Sequence, residues 1–125
     1  MSERTGNNKP EPAPDTMSIE PAVWDLFFTE FIPNVRVMRD IKERDAAGKA
    51  KYGVRLRLRN GRNAKVDLYQ ELLDALVYAS QDYFEKPNIK PRALKSRIKR
   101  ILIMVEEVEA ELATEAAVRA ITGEL

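Results

Sequence analysis

Three carboxylates, Asp67, Glu71 and Asp74, stand at i, i+4 and i+7 in the stretch AKVDLYQELLDALVYASQDYFE. On a helix they fall on one stripe, amid residues that are otherwise mostly apolar. Leaving an unpaired charge in a core costs several kcal/mol, so these acids must face water, a cationic group or a metal ion. Upstream, Asp40 and Glu43 form a second acidic pair at i,i+3. If the two helices pack antiparallel, Asp40, Glu43, Glu71 and Asp74 converge as oxygen donors. Such a set suits Mg²⁺, which takes one or two protein carboxylates and keeps its other positions for water and phosphate. The competing reading of each pair is a solvated helix face, with Arg36, Arg39 and Arg44 placed to pair with Asp40 and Glu43.

The chain contains no histidine and no cysteine. Thiolate nucleophiles, disulfides, imidazole bases and zinc sites of Cys or His are therefore excluded, and any chemistry must run on carboxylates. Cations are plentiful. In YGVRLRLRNGRN, Arg55, Arg57 and Arg59 alternate with Val54, Leu56 and Leu58, and Arg62 follows an Asn60-Gly61 turn. Four guanidinium groups along one extended arm could grip phosphate through paired hydrogen bonds, or simply protect an exposed edge by charge. A second basic group, Lys86, Lys90, Arg92, Lys95, Arg97, Lys99 and Arg100, has few aromatic neighbours and is a weak signal for single-stranded nucleic acid. Trp24, Phe27, Phe28 and Phe31 form an aromatic stripe that reads as packing, with nucleobase stacking as the sharper alternative. No glycine-rich phosphate loop or nucleophile elbow occurs.

Glu43 to Gly53, followed by Asn60-Gly61-Arg62 and by VDLYQELLDALVY from Val66 to Tyr78, resembles short tailed-phage proteins. The pattern Glu71-x-x-Asp74 is similar to the second metal motif of MazG-type, all-α nucleotide pyrophosphohydrolases. The resemblance covers roughly residues 36 to 80. It implies Mg²⁺ held against a nucleoside triphosphate by acids on two helices. Where that family has E-E-x-x-E, this chain has Asp40-x-x-Glu43, so the resemblance allows nucleotide binding with or without cleavage.

These residues need elements to position them. Residues 1 to 16 hold Pro10, Pro12 and Pro14 and almost no apolar side chain, which predicts a disordered tail before a single helical domain over 17–125. Ser18 as cap and Pro21 in the first turn predict a helix that stops at Pro33, and a second runs from Asn34 to about Ala50, fraying near Gly48. A third, central and buried, spans 64 to 85, and a fourth runs from Pro91 to about Thr122. In the fourth, Leu94, Ile98, Ile101, Val105, Val108 and Leu112 alternate steps of four and three, a coiled-coil-like seam. Its cations precede its acids Glu106, Glu107, Glu109, Glu111 and Glu115, against the helix dipole. An antiparallel copy of the helix would set the two signs side by side, which predicts a homo-oligomer through residues 91–122.

The expected fold is therefore all-α: a small bundle of about four helices with a short extended arm and a long C-terminal helix. A net charge of +1 gives no global pull toward nucleic acid or membrane, and nucleic acid is not favoured as a partner. The sequence shows neither a membrane-length apolar run nor a signal-peptide stretch, so a soluble, cytoplasmic protein is expected. Two functions remain: Mg²⁺-dependent nucleotide binding, extending to pyrophosphohydrolysis, or a non-catalytic interaction or nucleotide-sequestering protein of phage type that assembles through its last helix.

Overall fold

The computed structural model describes residues 6–86 and 88–123. After a 3-10 turn at Gly6–Asn8 come four helices, α1 (Val23–Glu30), α2 (Val35–Tyr52), α3 (Ala64–Glu85) and α4 (Pro91–Thr122), so the protein is all-α. The described residues divide into two compact units. One, Pro12–Arg62, carries α1, α2 and the arm; the other carries the 3-10 turn, α3 and α4.

In the first unit, Asn34 caps α2 by accepting the Val37 N–H at 2.9 Å. The helix does not fray at Gly48. It continues to Gly53, whose positive φ of 80° lets its N–H close on the Lys49 carbonyl, a stop that glycine adopts at little cost. α1 begins later than Ser18 and Pro21 suggest, because those residues serve the arm instead. The Ser18 hydroxyl accepts the Glu20 N–H, Val23 N–H donates to Leu56 O, and Leu58 N–H donates to Pro21 O. The extended arm is thus one antiparallel bridge, Ala22 with Arg57, and Ala22 is buried beneath it.

The second unit is a helical hairpin. Asn63 caps α3 by accepting from Lys65 N–H and Val66 N–H, Pro91 opens the first turn of α4, and Gly123 ends it with φ of 76°. The heptad seam is spent inside the chain: Leu94, Val105, Val108 and Leu112 are buried, and Val108 and Leu112 pack with Val66, Tyr69 and Leu72 of α3. α3 is not the buried central helix that its composition suggests. Val66 is its one buried residue, while Leu68, Val77, Tyr78 and Phe84 are exposed.

Residues 6–16, expected to be a free tail, make specific hydrogen bonds. Gln70 Nε2 donates to the carbonyls of Asn7 and Lys9, Glu11 accepts the Asn63 N–H, and Asp15 N–H donates to Asn60 O. The part of the tail expectation that concerns residues 1–5 lies outside the described residues. Among the described residues no helix is long and apolar enough to cross a membrane.

Candidate functional site

The four arginines of the arm are engaged by the chain itself. Arg55 donates from Nη2 to Asp25 Oδ1 at 2.7 Å and to Asp45 Oδ2 at 2.8 Å, with further bonds from Nη1 and Nε. One guanidinium group therefore ties the arm to α1 and α2 at once. The paired bonds from Arg55 hold the Asp25 carboxyl below the usual aspartate range, and the two aspartates push the Arg55 guanidinium up. Arg57 donates to the Glu20 carbonyl at 2.7 Å, Arg59 to the Glu20 carboxylate at 2.8 Å, and Arg62 to the Pro12 carbonyl at 2.6 Å. A phosphate arriving at Arg55 would have to displace two carboxylates that already satisfy the planar fork.

The acids expected to hold Mg²⁺ stand on two helices, α2 and α3. Asp40 and Glu43 lie exposed on α2 in the first unit, Glu43 on the wall of an open groove of about 420 Å³ lined also by Val35, Met38, Arg39, Lys42 and Ala46. Glu71 and Asp74 lie exposed on α3 in the second unit, one turn apart. Among the described residues, no group of three or more Asp or Glu side chains stands close enough to hold a metal ion, and Asp40 and Glu43 form no ion pair. Asp67 sits in the first turn of α3, where a negative charge is favoured by the N-terminal end of the helix dipole.

The hairpin has its own electrostatic staples, of which those between α3 and α4 leave no periodic trace in the sequence. Lys65 of α3 reaches both Glu111 and Glu115 of α4, and Glu115 first, then Glu111, pushes the Lys65 ammonium up. Near the turn, Asp82 binds Lys86 at 2.6 Å and lies 3.7 Å from Arg97. Lys86 chiefly holds Asp82 below its ordinary value. Arg119 stands in the last turn of α4, so the charge order opposes the dipole at the first turn, which holds no acid, and is corrected at the last.

Large apolar side chains are also left exposed among the described residues. On α4, Leu102, Ile103 and Met104 are exposed in mid-helix, and Val118 and Ile121 near its end. Of the aromatic stripe, Trp24, Phe27 and Phe28 are half-buried and Phe31 is exposed, with Trp24 edge-on to Phe27 at 5.4 Å and Phe27 stacked on Phe31 at 5.2 Å. No family model, curated protein or solved structure matches the chain.

Proposed function

We propose that this chain is a non-catalytic assembly protein whose α3–α4 hairpin completes its hydrophobic core against other copies. The observation that carries this reading is the division of apolar residues in the hairpin. Five are buried, Val66, Leu94, Val105, Val108 and Leu112, whereas Leu68, Val77, Tyr78 and Phe84 of α3 and Leu102, Ile103 and Met104 of α4 face outward. Two helices can bury only their mutual stripe, and large apolar side chains left on their outer faces mark a surface that another polypeptide covers. The arginines support the same reading, because they are spent on holding the first unit together rather than kept for an anionic ligand.

Thermal denaturation separates assembly from nucleotide binding. An assembling protein melts at a temperature that rises with its own concentration, while a ligand stabilises it in proportion to ligand concentration. The expected result is a concentration-dependent melt that nucleoside triphosphates with Mg²⁺ do not shift. A melt independent of protein concentration, raised by nucleotide only when Mg²⁺ is present and no longer raised in Glu71→Gln or Asp74→Asn, would overturn assembly in favour of the Mg²⁺-nucleotide function.

A further inference from the structure

We infer that the partner is a second copy of the chain docked antiparallel along the outer face of α4, with the two-fold axis passing Ile103. The inference rests on the assembly reading and adds to it the face, the orientation and the register. The face follows from what α3 already occupies. Leu94, Val105, Val108 and Leu112 are covered, so a partner can meet α4 only on the far side, where Ser96, Ile103, Ala110 and Ala117 repeat every seven residues and all are exposed. Ile103 is 54% exposed at the middle of that row, flanked by the exposed Leu102 and Met104. Small residues on either side of it let two helices approach closely.

Charge supplies the orientation and register. Each cation on this part of α4 stands as many residues before Ile103 as an acid stands after it: Arg100 and Glu106 at three, Lys99 and Glu107 at four, Arg97 and Glu109 at six, Lys95 and Glu111 at eight. The apolar and small residues obey the same mirror, with Leu102 opposite Met104 at one and Ser96 opposite Ala110 at seven. A two-fold axis at Ile103 therefore brings Ile103 onto its own copy, Ser96 near Ala110, and the cations from Lys95 to Arg100 alongside the acids from Glu106 to Glu111. A parallel copy would set cation beside cation and acid beside acid over the same length. Charges flanking an apolar belt select orientation in this way more than they add affinity. Lys95, Lys99, Arg100, Glu106, Glu107 and Glu109 have no ion pair among the described residues, so the second copy supplies partners that the hairpin does not.

The absence of cysteine makes the test direct, since any thiol introduced is unique. Under mild oxidation Ile103→Cys should cross-link to its own copy. Ser96→Cys alone should not, but Ser96→Cys mixed with Ala110→Cys should give the mixed disulfide. In parallel, reversing Lys99 and Arg100 to Glu, or Glu106 and Glu107 to Lys, should each weaken self-association by at least about tenfold, because both symmetric sets of pairs turn repulsive. An equimolar mixture of the two variants should restore association. All four positions are exposed, and circular dichroism checks that the variants stay helical. If the wild type dimerises but Ser96→Cys cross-links to its own copy, or Ile103→Cys does not, this arrangement is overturned and assembly is left standing. A wild-type chain that sediments as a monomer at every concentration overturns both.

Discussion

Leu112→Ala isolates how much of the hairpin rests on its thin core. Leu112 is 3% exposed and packs with Val66 and Val108, with Tyr69 and Leu72 alongside. Truncation removes three carbons, about 2.4 kcal/mol at roughly 0.8 kcal/mol each, and a void that the neighbours fill incompletely raises the loss to about 3 kcal/mol. In a unit of this size each kcal/mol moves the melting temperature by about 4 to 8 °C, so a fall of about 12 to 24 °C is expected. The assay is thermal denaturation at a fixed protein concentration, since association would otherwise shift the baseline. Leu102→Ala is the control: the same truncation at a site 43% exposed within one chain. Its effect should be small when the protein is dilute and grow as the protein is concentrated, because only a partner covers that side chain. A loss below about 1 kcal/mol for Leu112→Ala would refute the placement of the core, since no buried leucine in a real packing layer is that cheap to remove.

Asn63→Ala should lower hairpin stability by about 1 kcal/mol in denaturant titration, because the Asn63 side chain caps two N–H groups at the start of α3. Gly61→Ala should cost about 1 kcal/mol by the same assay through backbone strain alone, since Gly61 holds φ of 85° and a Cβ there would meet nothing within 4 Å. Asp25 titrates below the ordinary aspartate value when folded, so its contribution is present above that ordinary value and is lost as the pH falls through the lower, folded one. Carboxyl-carbon resonances should show this depressed midpoint, and Arg55→Gln should return it to the ordinary range.

The helices were legible wherever a local signal set both ends. The apolar run from 64 to 85 set the extent of α3, and Pro91 with an unbroken alternation of fours and threes set the start and course of α4. α2 ran past Gly48 because a glycine inside a helix costs only about 1 kcal/mol, and Gly53 offers the better stop. The partner of the heptad seam was less legible: the same spacing suits a helix of the same chain or of another, and here α3 takes it. Candidate site residues fared by the range of their interactions. The i,i+4 pairs Arg36 with Asp40 and Arg39 with Glu43 were visible in the sequence and do not form among the described residues. The clamp of Arg55 on Asp25 and Asp45 spans separations of 30 and 10 residues and leaves no periodic trace. Nor could spacing along the chain reveal that Asp40 and Glu43 belong to one compact unit and Glu71 and Asp74 to the other.

A single spin label at position 92 measures the pairing of α4 most directly. Position 92 lies eleven residues before Ile103. At 1.5 Å per residue and a helix separation of 8 to 10 Å, an antiparallel pair about Ile103 sets the two labels about 35 Å apart, before the label arms are added. Pulsed dipolar spectroscopy of Arg92→Cys carrying a nitroxide should therefore show one distance near that value, and the same label at position 103, about 10 Å from its copy, should broaden the continuous-wave spectrum. Continuous-wave broadening at both positions would mean a parallel pair, and neither broadening nor dipolar modulation at either would mean that α4 meets no second copy.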